Sequence, residues 1–308
     1  MDTAFLVAAL ATAIRAGTPL LYAALGAVIH ERAGVLNLGL EGVMLVGAVT
    51  GFLIVVHTHS LAAAISATLL VGALLGALFA ILVVGFRVNQ VVAGLALALF
   101  GAGLSAHIGS PVIGLPAPVA FVPRPVPILS GIPVVGPILF RHDPLVYATY
   151  VLVPLLWWLL FRTRVGLRTR AVGEEPGAAD AVGVDVSRVR FLATVFGGMV
   201  TSLGGAYLSL AYTPTWIENM VAGRGWIALA LVVFSGWNPI LAVAGAYLFG
   251  GVDSLGFRLQ AAGFTTVSSF FLRMMPYVLT VLLLVVVTPG KIKGIPKALG
   301  APYRREQR

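Results

Sequence analysis

Nine apolar stretches divide this chain, at about 4–29, 36–56, 61–86, 90–110, 144–161, 191–213, 225–236, 239–257 and 268–288. A helix needs roughly 20 apolar residues to cross the hydrocarbon of a bilayer, and most of these runs have that length. None alternates with the period of two that a barrel strand would show, so the runs imply helices rather than an outer-membrane barrel. Composition agrees: 59% of residues are hydrophobic and only 10% charged, with a mean hydropathy of +1.00. Soluble domains carry about a quarter charged residues, so a chain this apolar needs lipid as its solvent. The expected fold is an all-α polytopic helical bundle, one transmembrane domain over 1–308, with eight to ten crossings and broken or re-entrant helices. The second and seventh runs are interrupted or short. The first could break at Arg15, leaving 2–15 as an interfacial helix and Gly17–Ile29 as a short span. The start Met1-Asp2-Thr3 has neither the basic region nor the cleavage site of a signal peptide. There is no cysteine, which excludes disulfides, thiol catalysis and thiolate metal sites.

The formal charge of +9 would fit nucleic acid if the cations lay on one aromatic-studded face. They do not. Arg162, Arg164, Arg168, Arg170, Arg188 and Arg190 fall in the connection 162–190, and Lys291, Lys293, Lys297, Arg304, Arg305 and Arg308 follow the last apolar run. Cations gathered between apolar runs mark cytoplasmic connections, so both segments belong inside and nucleic acid is not a partner. The segment 111–143 then lies outside. Its eight prolines, from Pro111 to Pro137, disfavour a regular helix and predict an extended cap with partial polyproline character. Walking back places Arg87 inside, His57–Ser60 outside and Glu31-Arg32 inside, with the N-terminus outside if every run crosses once.

Two segments stand out. In Glu31–Met44, glycines 34, 39 and 42 interrupt an apolar region that holds Asn37 and Glu41. Those two side chains are four residues apart and would share one helical face. A carboxylate at membrane depth costs several kcal/mol unless it is paired or faces water, and broken helices occur there only when buried in protein or lining a cavity. Two readings stand open. Asn37, Gly39, Glu41 and Gly42 could line a pathway or gate; or Glu41 could cap a helix start and pair with Arg32 near the inner interface.

The second segment is Ala171–Val184, in the cytoplasmic connection. Glu174, Glu175 and Pro176 suit a first helical turn, and Gly177–Val182 would form a short helix closed by Gly183. A helix this short cannot stabilise itself. Its small side chains, Ala178 and Ala179 among them, suit a groove on a partner protein.

With those residues in view, a family resemblance follows. Glu31–Met44 resembles the ERAGxLNLGxEGxM signature of permease subunits of ABC importers of the branched-chain-amino-acid/simple-sugar class, nucleoside-type subgroup. Ala171–Val184 resembles the AVGENPxAAxxxGI segment that forms the coupling helix in that class. Arg224–Ala230 (RGWIALA) and Phe234–Pro239 (FSGWNP) resemble its later conserved stretch. Glu175 stands where that family usually has Asn, and Val184 where Ile is common. The resemblance implies a type II-like importer permease, without its own ATP site or enzymatic activity, in the plasma (inner) membrane of a bacterium. It implies a second, homologous permease chain completing a heterodimer and a cytoplasmic ABC ATPase carrying ATP and Mg. It also implies an extracytoplasmic lipid-anchored binding protein. Coupling to the ATPase would fall to Gly173, Glu174, Glu175, Pro176, Ala178, Ala179, Asp180 and Gly183. The translocation pathway would take in Asn37, Gly39, Glu41, Gly42 and Trp226. The implied substrate is a nucleoside, with a simple sugar as the alternative. An ion-coupled secondary transporter is the less favoured reading, because only Glu41 and Asp253 offer intramembrane acids and no clear repeat is visible.

Other polar residues get bland assignments. Trp216 and Trp226, near Glu218 and Asn219, could stack on a base or sugar but more commonly anchor a helix at the interface. Asp253 and Arg273 could pair across helices. Thr265, Thr266, Ser268 and Ser269 could line a polar path or bond back to helix carbonyls. His57 and His59 lack a third ligand, so no metal site is expected. Pro289-Gly290-Lys291 lacks the upstream glycines of a phosphate-binding loop.

Overall fold

A computed structural model describes residues 3–261, 269–287 and 294–304. Thr265, Thr266, Ser268, Lys291 and Lys293 lie outside the described residues, as does the segment Pro289-Gly290-Lys291. The side chains of Ser269 and Arg273 lie outside them too.

The described chain is almost wholly helical, and pairing between extended segments is limited to isolated bridges, Ile113 with Trp216 and Pro116 with Thr215. Seven helices among the described residues are long and apolar enough to cross a membrane. That is one below the lower bound of the eight to ten crossings expected. Much of the difference lies in the seventh apolar run, which folds as an eleven-residue helix too short to span. The first is α1, Thr3–Arg32. It runs unbroken through Arg15, so the expected division into an interfacial helix and a short span is wrong. Arg15 lies between helices with its guanidinium on the Ala211 carbonyl, so the charge does not break the helix.

From the inner end of α1 the chain passes through 33–39 into α2, Leu40–Thr58. Then follow α3, Leu61–Ala80, which continues as a π-turn to Gly85, and α4, Gln90–Gly109. The proline-rich segment is irregular apart from single 3-10 turns and the five-residue α5, Val135–Leu139. Asp143 starts α6, Pro144–Arg162, by accepting bonds from the Leu145 and Val146 amides at 3.0 and 3.2 Å. Burial pushes its carboxyl above the usual carboxylate range, against those amide bonds. The connection after α6 holds α7, Arg164–Glu174, and α8, Pro176–Ala181. It leads to α9, Val186–Tyr207, extended by a π-turn to Tyr212. The last three helices are α10, Arg224–Phe234; α11, Pro239–Ala261; and α12, Ser269–Val287.

Lipid tails are as apolar as leucine, so helices in a membrane associate through close packing. Here glycine provides it. Gly26 meets Gly197 where α1 crosses α9, and Gly72 meets Gly198 where α3 crosses α9. Gly17 and Gly250 bring α1 and α11 together. A Cβ at any of these would collide with backbone of the facing helix. Helices α1, α2 and α9 thus form the buried centre, with Leu21, Leu25, Met44, Phe52 and Val200 among the side chains that fill it.

The irregular segment after α1 does not stay at the interface. The Leu36 amide donates to Gln90 Oε1 at the foot of α4, at 2.7 Å. Leu38 then lies against Gly94, Gly39 against Leu97, and Gly42 against Ala98 and Gly101. By the start of α2 the chain has climbed α4 for about two turns, roughly 10 Å, a third of the bilayer hydrocarbon. Helix α2 therefore begins inside the bundle rather than at its end.

Candidate functional site

Helix α10 starts beside the first turn of α2 and ends beside the C-terminal end of α1, and the segment from Glu31 to Glu41 holds both its ends. At the upper end, Glu41 Oε1 accepts the Gly223 amide at 2.7 Å and Oε2 accepts the Gly225 amide at 2.8 Å. The first amides of any helix lack intrahelical partners and carry the positive end of its dipole, so a carboxylate satisfies both needs. Gly223 sits at φ +80, a conformation that favours glycine. A side chain on Gly225 would strike the Glu41 backbone. Glu41 therefore caps a helix start, but the start belongs to another helix, and its partner is not Arg32.

At the lower end the chemistry is reversed. Arg32 donates from Nε to the Trp237 carbonyl at 3.0 Å and from one terminal nitrogen to the Gly236 carbonyl at 3.1 Å. These carbonyls follow the C-terminus of α10, where a cation is favoured. Trp237 Nε1 donates to the buried Glu31 carboxylate at 2.6 Å. The other terminal nitrogen of Arg32 donates to the Gly294 carbonyl at 3.2 Å.

The lower end is also tied to the elbow between α7 and α8. Arg190 of α9 donates to the Ala33 carbonyl at 3.1 Å and the Ala301 carbonyl at 2.8 Å. The Ala298 amide donates to the Gly173 carbonyl at 2.9 Å, and the Gly300 amide to the Gly34 carbonyl at 3.2 Å. Gly173 packs against the Arg32 carbonyl so closely that a Cβ would collide with it. The end of α7, the end of α1 and the tail 294–301 thus form one hydrogen-bonded unit beside α8.

Within that elbow the expected residues take different stations. Glu174 ends α7 and Glu175 is the hinge residue between α7 and α8, so neither sits in a first turn of α8. Pro176 opens α8, which closes one residue earlier than expected, at Ala181. Gly183 follows at φ +84. Ala178 is exposed, whereas Ala179 is buried against Val172 and Val186. Asp180 is half-buried.

Among the expected pathway residues, Asn37 is buried and its Oδ1 accepts the Gly39 amide at 2.8 Å, closing the turn that leads into α2. Gly42 is a packing contact with α4. Trp226, one turn into α10, is 39% exposed and lies next to the Glu41 junction. Trp216 is no interfacial anchor: it is fully buried against Gly109 under the outer loop.

Sequence reasoning assigned no part to Arg224. Its guanidinium pairs with Asp253 of α11 at 3.1 Å and also reaches the Val221 carbonyl at 3.2 Å. Asp253 therefore meets Arg224, and the Arg273 side chain expected opposite it lies outside the described residues. Tyr277 of α12 donates to the Ala222 carbonyl at 2.9 Å. Beside Arg224 opens a recess of about 420 Å³ lined by Leu208, Tyr212, Thr213, Ile217 and Met220. A cation at the head of an apolar run was the signal that could have marked this corner.

Residues 9–288 match the family of the branched-chain amino acid transport system permease component. The chain belongs to that permease family. It is 36% identical to the guanosine ABC transporter permease protein NupQ of Bacillus subtilis, over 94% of each chain. It is 35% identical to the nucleoside ABC transporter permease protein NupC of Lactococcus lactis, over 93% of each. A Haloferax volcanii protein, TsgC13, bears the name of a glucose ABC transporter permease and is 37% identical, over 95% of this chain and 96% of its own. Among solved structures, an inward-facing ABC transporter of the metal-chelate type shares the fold with a TM-score of 0.53, at 16% identity, over 90% of this chain and 85% of that one. This chain is thus the multi-pass membrane permease subunit of an ABC transporter, in the plasma (inner) membrane.

Proposed function

We propose that this permease imports nucleosides, with its energy supplied by a separate cytoplasmic ATPase that carries the ATP and Mg. The observation that carries the mechanism is the double hold on α10. The segment 31–41 bonds its two ends, and the same segment is tied through Gly173 and Gly34 to the elbow bearing α8. In this reading the ATPase grips the exposed face of α8, around Glu175, Ala178 and Gly183, with Gly173, Glu174, Pro176, Ala179 and Asp180 supporting that face. Closure of the ATPase shifts the elbow, and the knot passes the shift to α10. The pathway then changes its side of access beside Glu41 and Trp226, while Asn37, Gly39 and Gly42 fix where α2 begins. Transport needs contacts that differ between the two states, and the hydrogen bonds at the ends of α10 are the candidates. A second, homologous permease chain completes the pathway as a heterodimer, and a lipid-anchored binding protein delivers substrate at the outer face.

The nucleoside assignment rests on likeness to NupC and NupQ. A simple sugar is the second reading, favoured by the likeness to TsgC13. Uptake of labelled guanosine and glucose is measured in membranes carrying this chain, its genomic neighbours and either active or inactive ATPase. ATP-dependent guanosine uptake supports the proposal. Glucose uptake without guanosine uptake moves the assignment to sugars, and ion-driven uptake by this chain alone overturns it.

A further inference from the structure

At the inner end of the bundle a groove of about 680 Å³ opens between the α6–α7 corner and α9. Its apolar walls include Leu159 at the foot of α6, Val165 on α7, and Leu192 and Phe196 on α9. Val165, Leu192 and Phe196 are 61%, 55% and 40% exposed. From Arg188 to Phe196 the groove follows α9 for about two turns, roughly 12 Å into the membrane. Two arginines line its mouth, Arg168 of α7 and Arg188 of α9.

The six arginines of this connection are not equivalent. Arg190 holds two backbone carbonyls, and Arg162 and Arg170 stack on Trp157 and Phe161 at 5.6 and 5.1 Å. Arg168 and Arg188 are exposed, and neither guanidinium has a hydrogen bond or ion pair among the described residues. The one carboxylate at the mouth, Asp185, is used in accepting the Arg188 backbone amide at 2.9 Å.

We infer that this groove is a binding site for an anionic phospholipid of the inner leaflet. Its walls on α6 and α9 are the ends of two membrane spans, where an acyl chain is the natural filling. Its cations lie where those spans reach the cytoplasmic interface, the level of the phosphate groups. A cation there is worth about 1 kcal/mol toward anionic lipid. The site lies next to Val182, Gly183 and Val184, so an occupying lipid would brace the elbow from the membrane side.

The test uses the full assembly of this chain with its permease partner and ATPase. It is equilibrated in nanodiscs of equimolar phosphatidylglycerol and phosphatidylcholine, released, and weighed by native mass spectrometry. Wild type should retain phosphatidylglycerol in preference to phosphatidylcholine. The double substitution Arg168→Gln, Arg188→Gln should reduce that retention roughly twenty-five-fold, the loss of two such cations. Leu192→Trp, which fills the wall and keeps the charge, should also reduce it. Equal retention of both lipids by wild type, or unchanged retention in the double variant, overturns the site. So does loss of the ATPase from a double variant that still holds the lipid, because the arginines would then serve a protein interface. Should the variants fail to assemble, a photoactivatable phosphatidylglycerol on wild type decides: labelling of 159–196 supports the site, and labelling confined elsewhere overturns it.

Discussion

The two ends of α10 solve opposite problems with residues only nine positions apart. At the upper end the unmet groups are amides, and Glu41 offers two oxygens to Gly223 and Gly225. At the lower end they are carbonyls, and Arg32 offers its guanidinium to Gly236 and Trp237. Anion at the N-terminus and cation at the C-terminus is the arrangement a helix dipole favours. The ends differ in what else they touch. The upper one is linked laterally to α11 and α12 through Arg224–Asp253 and Tyr277. The lower one is linked to the elbow and the tail. In the proposed mechanism, a half-helix held this way moves with the elbow at one end while its other end stays tied to α11 and α12.

The largest effect is expected at Glu41. Glu41→Ala leaves two amides without acceptors, and the buried one, that of Gly225, alone costs about 1–3 kcal/mol. Uptake should fall at least tenfold and the melting temperature of the assembly should drop. Glu41→Gln, which keeps one acceptor oxygen, should lie between that variant and wild type. If Glu41→Ala melts lower but transports normally, the upper hold is merely structural.

Next in size is Arg32→Lys. An ammonium cannot reproduce a planar fork that serves Gly236, Trp237 and Gly294 together, so ATPase activity should lose its dependence on substrate while the fold survives. Equal loss of uptake and of melting temperature would instead erase the distinction between the two ends.

The elbow provides a third, sharper comparison. Ala178→Arg, on the exposed side of α8, should uncouple hydrolysis from uptake with little change in stability. Ala179→Arg should chiefly destabilise, by about 2–4 kcal/mol, because it forces a charge into a packed site. Reversal of that order would mean that the buried side of α8 is the one the ATPase meets.

Smallest is Asp253→Asn. Its ion pair with Arg224 is 16% and 26% exposed on the two sides, so solvent weakens it. Loss of about 1 kcal/mol or less is expected, read as a small fall in melting temperature with uptake reduced less than threefold.

Glu41 shows where the sequence stopped. A carboxylate among glycines at membrane depth had to be paired or wetted, and it could be recognised as special on that ground alone. Its partners could not be named, because they are backbone amides 182 and 184 residues away, and amides leave no mark in a sequence. Arg224 was overlooked for the related reason that its carboxylate, Asp253, is on a different helix. Ala178 and Ala179 are the same residue type side by side, and only the packing of α8 on Val172 and Val186 tells them apart.

By itself the sequence determined the solvent, the helical class and the two special segments. Each of these follows from local quantities: apolar length, charge placement, proline and glycine. The tertiary structure decided that α1 runs unbroken past Arg15, that the chain after it climbs α4 before α2 begins, and that Glu31–Glu41 grips α10 at both ends. These depend on which helices cross, and close packing of small residues against distant backbone sets those crossings.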